Sequence, residues 1–470
     1  MVDQMASVIE VVNPRPPRAK YSAQVIVVGA SLSGLQAAYD LQQAGISCLV
    51  LEAHDQIGGH FATGPGAMHS VGAWVDHVRQ PRAWNLVHDL GLEMTEEKTG
   101  KSVIHGFGAY EVGAAPFFDE ADRRSHIRVR TSIQSLFQNI DLVNPTLIIP
   151  DYEYMTVRDL VVSHGATPAI EKLADSWTAT LFGFAACDVA APDFLLACKT
   201  AGDFLNVVDQ PSKRHSRMRF RGTSTLCEAL AQRLEPGSVM LSQAVRWVDQ
   251  TLNTKCALTT DTRVTFECSR VILAVSTSAY PHIEFSPPLD GSRQWMQAYE
   301  DPGFYMETVL VYDQPWWREK SLSGYSQSTE GPIWETHDTS RDADGVYALT
   351  CITAGESGRE LWKMDIIERR SRLLSHLGDI FSMFIALPDP IWRIEPKQGT
   401  WARSSSCAAV PANHVWLGQW EAEDKVHFAG AETSYLWRGH LESALASGSR
   451  ASDEVLNAMR PVGNLLLARL

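Results

Sequence analysis

The sequence predicts an α/β fold in which a parallel sheet is flanked by helices. Gln24–Val28 is a short apolar run rich in β-branched residues, which is typical of a buried parallel strand. Helical spacing follows over Leu35–Ala44, and Ser47–Leu51 is a second apolar run. These three segments form one βαβ unit. The further strands predicted are Leu241–Gln250, Val264–Phe266 and Val271–Val275, and the further helices are Ile366–Leu377 and Ser382–Leu387.

Length and composition exclude several classes of protein. The 470 residues exceed one compact core and indicate two or three domains of about 150 residues each. Hydrophobic residues make up 45% and charged residues 20%, as in globular proteins. The net charge of -14 and the lack of a basic stripe argue against nucleic-acid binding. No apolar run reaches the roughly 18–20 residues of a membrane span.

The cysteines and the chain ends bear on the cellular compartment. Eight scattered cysteines without a C-x-x-C pair favour reduced thiols over a disulfide framework, and no metal site is predicted. Residues 1–21 contain three prolines and no apolar h-region, so we expect a disordered arm rather than a signal peptide. The C-terminal Ala468-Arg469-Leu470 resembles a peroxisomal address, and the expected location is the peroxisome or the cytoplasm.

A glycine loop, Gly29-Ala-Ser-Leu-Ser-Gly34, joins the first strand to the helix. Gly29 permits the tight turn, Gly34 lets the helix pack close to the strand, and the helix N-terminus can meet a pyrophosphate. Glu52 ends the second strand about twenty residues on, where a carboxylate accepts hydrogen bonds from ribose hydroxyls. Ser31 occupies the middle position, which usually takes glycine. The unit predicts dinucleotide binding; the alternative is an ordinary βαβ unit with a glycine turn.

A second pair of glycines indicates which dinucleotide is bound. Gly58 and Gly59 follow the second strand closely and allow another backbone approach to the cofactor. Chains of simple NAD dehydrogenases usually continue into a further βα unit at this point, so the pair favours FAD. The cofactor contacts predicted in this region are Gly29, Ala30, Ser31, Ser33, Gly34, Glu52, Ala53, Gly58, Gly59 and His60.

Two long blocks resemble the flavin-containing amine oxidase family, especially the fungal and animal monoamine oxidases. The first, Val25–His60, contains VIVVGASLSGLQAA and LEAHDQIGGH, and the last, Val426–Leu456, contains FAGAETSYLWRGHLESALASG. Shorter blocks lie between them in family order: RGTSTL from Arg221, VILAV from Val271, FSPPL from Phe285 and VYDQPWWRE from Val311. The resemblance extends over roughly residues 23–458 and implies FAD as the cofactor.

The resemblance also implies a domain organisation. A Rossmann-like FAD-binding domain would comprise residues 22–96, 217–295 and 400–458. A discontinuous, mixed-sheet substrate domain of α+β type would comprise residues 97–216 and 296–399. Residues 459–470 would form a C-terminal tail.

The last block predicts a second segment of the chain that contacts the cofactor. Phe428–Glu432 is typical of a strand that runs into a turn of small residues, and Leu441–Leu456 of a helix. The resemblance implies that Gly430 and Glu432 lie near the ribityl and phosphate part of the flavin; a surface carboxylate is the alternative. Val245 is a further cofactor contact in this comparison, and His60 stands where the family often has an arginine that binds phosphate.

Family members usually carry a lysine that holds a water near flavin N5, on the strand before the P-W-W turn. Glu307 occupies the matching position here. An acid could hold a substrate cation or act as a base. The alternative is a one-residue slip of register, which would point Glu307 away from the site.

The aromatic cage of the monoamine oxidases is also changed. His440 and Ala408 replace its two tyrosines, and His440 is titratable near neutral pH or is simply a polar wall residue. Trp437 and Trp74 are further expected wall residues, and His77 and Arg79 are weaker candidates. Cys407 resembles the cysteine that binds flavin covalently in some members; a buried free thiol is the alternative.

The sequence therefore predicts an FAD-dependent oxidase that moves a hydride from a C–H next to nitrogen to flavin N5. The products would be an imine and hydrogen peroxide, and the partners a small-molecule substrate and oxygen, with a homodimer as the alternative to a monomer. The predicted catalytic residues are His440, Glu307 and Trp74. A desaturase or oxidative cyclase acting on a non-amine metabolite is the alternative reaction, and a redox-silent flavoprotein is a third.

Overall fold

A computed structural model represents the protein. It describes residues 21–59, 74–96, 100–111, 119–142, 152, 154–204, 207, 217–220, 223–291, 303–383, 391–394, 420–434 and 436–460. His60, Cys407, Ala408 and the C-terminal tripeptide lie outside these residues, so the expectations for them stay predictions.

The strands of the described residues fall into four sheets. In chain order they are β1 Tyr21–Ser22, β2 Val25–Val28, β3 Cys48–Leu51, β4 Trp74–Asp76, β5 Met94–Glu96, β6 Lys101–Ile104, β7 Gly108–Tyr110, β8 Arg217–Phe220, β9 Val239–Met240, β10 Val245–Asp249, β11 Cys256–Thr260, β12 Thr265–Cys268, β13 Arg270–Leu273, β14 Glu284–Ser286, β15 Tyr305–Tyr312, β16 Leu322–Gln327, β17 Ile333–Asp338, β18 Tyr347–Ala354, β19 Ile391–Ile394 and β20 Val426–Phe428.

Among the described residues, the helices lie between or after these strands, with four in succession between β7 and β8. They are α1 Leu32–Gln43, α2 Pro81–Asp89, α3 Glu120–Gln138, α4 Val157–Ser163, α5 Pro168–Phe182, α6 Ala191–Ala201, α7 Thr223–Gln232, α8 Trp316–Glu319, α9 Gly355–Lys363, α10 Ile366–Phe381 and α11 Leu441–Met459. Within the described ranges, none of them combines the length and apolarity needed to cross a bilayer.

A parallel sheet in the order β20-β13-β2-β3-β9 forms the centre of the cofactor-binding part. Helices α1 and α11 pack together beside it. Their approach is close at Gly448, where an added Cβ would lie 2.4 Å from the Ser33 carbonyl oxygen. The predicted α/β class and the Rossmann-like βαβ unit are confirmed.

The second large sheet has seven strands in the order β19-β15-β18-β17-β16-β6-β7, with parallel and antiparallel neighbours. One of its faces packs against α10, through residues that include Leu310, Leu349 and Leu377. The opposite face carries the polar side chains considered below. A mixed sheet in this half of the molecule agrees with the predicted fold class, while the domain boundaries themselves stay a prediction.

Several observed elements differ from the predicted ones, and three of the differences have a local cause. Helix α1 begins at Leu32 rather than Leu35, because Ser31 caps it. The strand predicted over Leu241–Gln250 is shorter, since Ser242 has a φ of 55° and β10 comprises only Val245–Asp249. The helix predicted over Ile366–Leu377 extends four residues further, to Phe381. It ends there because Ser382 adopts a left-handed conformation.

Candidate active site

The glycine loop has the geometry of a strand-to-helix turn around a pyrophosphate site. Gly29 has a φ of 102°, and an added Cβ would lie 2.7 Å from the Ala274 carbonyl oxygen, so only glycine fits. Ser31 has an ordinary extended backbone, with φ -72° and ψ 170°. Its Oγ donates to the Ala274 carbonyl at 2.8 Å and accepts from the Gly34 amide at 3.4 Å. The middle position of the loop therefore does not need the backbone freedom of glycine.

Glu52 is tied directly to this loop. Its side chain is buried, and Oε2 accepts a hydrogen bond of 2.7 Å from the Ala30 amide. Oε1 accepts from the His54 amide at 3.0 Å and contacts the His54 ring nitrogen at the same distance. The carboxylate thus lies at the carboxyl end of β3, beside the loop, where the ribose of a dinucleotide is held in this fold. Ala53, the next residue, is half-buried.

The second glycine pair lies against the same loop. The Gly58 amide donates to the Ala30 carbonyl at 2.9 Å. An added Cβ on Gly59 would lie 3.3 Å from the Ser31 Cβ. Ser33, buried at the start of α1, places its Oγ 3.0 Å from that of Ser31. The first block of the sequence therefore assembles into one surface.

Glu432 connects the last block of the sequence to the turn after β13. Its Oε1 accepts a hydrogen bond of 3.2 Å from the Thr277 amide, and burial raises the pKa of the carboxyl. The Thr277 hydroxyl is buried and has no hydrogen-bond partner among the described residues. Gly430, whose amide donates to Ser447 Oγ at 3.1 Å, begins the same turn. A buried hydroxyl without a partner, next to a carboxyl and a glycine turn, fits a polar group of FAD.

Val245 begins β10 and is buried in the core beside Leu51 and Val248. Two residues earlier, the Gln243 amide donates to the Glu52 carbonyl at 2.8 Å; the role of Val245 as a cofactor contact stays a prediction. Sequence reasoning missed Ala274 and Thr277. The VILAV block contained a signal for them, because it ends at the turn that carries both.

Glu307 lies on the polar face of the seven-stranded sheet. Neighbouring residues of a strand point to opposite faces of the sheet, and Met306 packs into the apolar core on the other face. Glu307 therefore does not point away from the polar face. Tyr305 Oη donates to Glu307 Oε1 at 3.1 Å. The Glu307 side chain is half-buried, so part of it stays accessible.

The pKa of Glu307 is raised from 4.5 to about 7. Burial is the cause, because it disfavours the charged carboxylate. The hydrogen bond from Tyr305 and the charge of His337 act in the opposite direction. Glu307 can therefore gain or release a proton at neutral pH, which is what a general base requires.

A second acidic group shares this face. Glu307 is opposite Ile352 in the β15–β18 pair, and Glu335 is opposite the same Ile352 in the β17–β18 pair. Glu335 Oε2 contacts His337 Nε2 at 3.2 Å, and Glu335 Oε1 accepts from Tyr325 Oη at 3.4 Å. Sequence reasoning missed Glu335, His337 and Tyr325, although the alternation of Glu335 and His337 in β17 placed both on one face.

Trp74 connects this face to the cofactor-binding part. Its ring centroid lies 6.3 Å from that of His337. The Arg219 guanidinium lies 5.8 Å from the Trp74 ring, and donates to the backbone carbonyls of Asp338 and Ser340 at 3.1 and 3.0 Å. The predicted wall residue Trp74 is therefore next to the polar face that carries Glu307.

His440 and Trp437 lie at the start of α11. His440 is the N-cap residue and is exposed, with Nδ1 3.0 Å from the Arg438 carbonyl. The rings of Trp437 and His440 are 5.3 Å apart, and Trp437 Nε1 donates to the Arg79 carbonyl at 2.8 Å. His77 is exposed and packs near Trp84, 5.5 Å between centroids. No contact between His440 and Glu307 occurs among the described residues.

The sequence matches the profile of a family described as flavin containing amine oxidoreductase over residues 32–456. The chain belongs to this family. As a flavin containing amine oxidoreductase it uses FAD and catalyses amine oxidation. The glycine loop, Glu52 and the turn at Glu432 are the parts of the chain that fit the cofactor.

Named relatives agree with this assignment. The chain is 27% identical over 453 residues to a putative flavin-containing monoamine oxidase AofH of Mycobacterium tuberculosis, covering 93% of this chain and 97% of the relative. It is 24% identical to the human amine oxidase [flavin-containing] B, covering 93% and 86%.

Solved structures show the same fold. Wild-type putrescine oxidase bound to putrescine superposes with a TM-score of 0.85 at 23% identity, covering 93% of this chain and 99% of that one. Cyclohexylamine oxidase from Brevibacterium oxydans IH-35A gives 0.82 at 22% identity, with the same coverage. The likeness confirms an FAD-binding part of Rossmann type joined to a mixed-sheet part.

Proposed function

We propose that this family member is an oxidase that takes a hydride from the C–H next to a substrate nitrogen, giving an imine and hydrogen peroxide. The observation that carries the proposal is Glu307, a half-buried carboxyl with a pKa of about 7 on the polar face of the seven-stranded sheet. Bound FAD supplies the hydride acceptor and passes the electrons to oxygen. The protein residues bind the amine, orient it and manage its proton.

Glu307 is suited to take the proton of the incoming ammonium ion. An amine arrives protonated at neutral pH, and hydride loss from its carbon requires the nitrogen lone pair. Glu307 accepts the proton through Oε2, while Oε1 stays bound to Tyr305 Oη. Above about pH 7 the carboxylate form prevails, so the base is ready at physiological pH.

The surroundings of Glu307 favour a polar amine. The polar face carries aromatic rings with polar atoms at their edges, namely those of Tyr305, Tyr325, His337 and Trp74. The family's aromatic cage consists of two facing tyrosine rings, and His440 replaces one of them. The solved neighbours include oxidases of a diamine and of a cyclic amine, and an amine with additional polar groups fits the acidic face here.

Anaerobic flavin reduction tests the proposed function directly. Purified holoenzyme is mixed with a panel of primary, secondary and cyclic amines, and the flavin absorbance near its visible maximum is followed. We expect at least one amine to bleach the flavin, and oxygen to restore the colour with one peroxide per turnover. Bleaching by non-amine metabolites alone would contradict the proposal and favour desaturation.

Tyr305→Phe should move the pH dependence of amine oxidation upward. The Tyr305 hydrogen bond lowers the pKa of Glu307, so its loss leaves burial less opposed and raises that pKa above about 7. The rise of kcat/KM with pH should shift to higher pH, while the plateau at high pH changes little. An unchanged inflection in pH profiles of the two enzymes would show that Glu307 is not the titrating base.

A further inference from the structure

Two cysteines outside the candidate active site lie opposite each other. Cys256 and Cys268 are partners in the register of the antiparallel pair β11–β12. Directly opposite residues in such a pair have Cα atoms about 4.5–5.5 Å apart, within the roughly 4.4–6.8 Å that disulfides span. Side chains of opposite residues lie on the same face, and both cysteines belong to the same buried core.

The two thiols are chemically different. Both are free, and they hydrogen-bond to each other. The bond from the Cys268 thiol lowers the pKa of Cys256 against the effect of burial, and the positive charges of Lys425 and Arg270 also lower it. For Cys268, burial and the bond to Cys256 both raise the pKa, well above its usual value. Since the thiolate is the nucleophile, Cys256 is the attacking sulfur and Cys268 the resolving one.

We infer that Cys256 and Cys268 form a dithiol that hydrogen peroxide oxidises to an intramolecular disulfide. The Cys256 thiolate attacks one peroxide oxygen, the O–O bond breaks, and the released hydroxide takes a proton to become water. Cys268 then attacks the sulfenic sulfur of Cys256, the S–O bond breaks, and a second water leaves. Two thiols lose two electrons and one peroxide gains them. Only the source of the peroxide rests on the proposed function.

Access to the pair is limited to small reagents. Cys256 and Cys268 are 0% and 3% exposed. Cys256, however, begins β11 directly after the exposed turn 251–255, where local opening admits a molecule of the size of peroxide. Three other buried cysteines provide a comparison, because burial raises the pKa of each to about 12: Cys48, Cys227 and Cys351. These should not react.

Peptide mapping of the holoenzyme tests the inference with hydrogen peroxide itself. After exposure and removal of peroxide by catalase, the protein is unfolded in alkylating reagent and digested. We expect a linked peptide pair containing Cys256 and Cys268, reversed by dithiothreitol, with Cys48, Cys227 and Cys351 alkylated throughout. Exposed Cys187 reports that the peroxide dose was sufficient.

Two matched variants assign the roles of the sulfurs. In Cys268→Ser, dimedone should trap a sulfenic acid at Cys256; in Cys256→Ser, Cys268 should stay reduced. Full alkylation of both cysteines in the wild type, at a dose that oxidises Cys187, would overturn the inference. A disulfide from either one to Cys187 would do the same. The wild-type map decides even where a variant fails to fold.

Discussion

Gly34→Ala is expected to abolish FAD binding and to lower the free energy of unfolding by about 3 kcal/mol or more. The added Cβ would lie 2.1 Å from the Gly29 carbonyl oxygen and 3.0 Å from the Ala274 Cβ. Gly29 belongs to the loop between β2 and α1, and Ala274 directly follows the neighbouring strand β13. The clash is with backbone, so a change of rotamer cannot relieve it, and α1 must move away from β2.

The measurement for Gly34→Ala combines flavin content with thermal unfolding. The ratio of flavin to protein absorbance should fall close to zero, and added FAD should not restore it. Gly291→Ala is the matched control, since a Cβ there meets no atom within 4 Å and the backbone is not left-handed. Wild-type flavin content and melting temperature in Gly34→Ala would refute the close packing of loop and helix.

Glu307→Gln is expected to lower kcat/KM for the best amine by about 100-fold or more, the usual contribution of a general base. The amide is isosteric and can still accept the Tyr305 hydrogen bond, but it cannot take a proton. The rise of activity through about pH 7 should disappear from the profile. Glu330→Gln, which removes the same charge at an exposed position in the turn between β16 and β17, should leave both rate and profile unchanged.

Stability gives Glu307→Gln a second readout in the FAD-bound enzyme without substrate. The pKa of Glu307 is raised in the folded state, so the folded protein binds the proton more tightly than the unfolded chain. Ionisation therefore costs stability progressively between the unfolded pKa near 4.5 and about pH 7. The variant should melt at a higher temperature than wild type at pH 8 and equally at pH 4. Full activity with an unchanged inflection would remove Glu307 from the mechanism.

The cofactor end of the protein was largely predictable from the sequence because its contacts are local. Gly29, Gly34 and Glu52 lie within one βαβ unit, where spacing along the chain determines position in space. The start of α1 was misplaced by three residues because Ser31 serves as a cap as well as a loop residue. A serine can cap a helix start, but Ser31 was interpreted only as a position of the glycine loop.

The polar face of the large sheet was less predictable because sheet register brings it together. Glu335 and His337 belong to no motif, and they lie near Glu307 only because β18 runs between their strands. Trp74 reaches them through the pairing of β4 with β8, which sets Arg219 opposite it. Pairings between separate strands leave no periodic trace in one sequence, whereas the direction of the Glu307 side chain followed from strand alternation once the register was known.

Ile352 separates the two carboxyls of this face. It occupies the central strand between Glu307 and Glu335, which keeps them two strand spacings apart, about 9–10 Å between backbones. Acids on adjacent strands would share a single proton and titrate as one system with two linked steps. With an aliphatic spacer between them, Glu335 keeps its contacts with His337 and Tyr325 while Glu307 exchanges its proton, so turnover at Glu307 leaves the hydrogen bonds of the other acid in place.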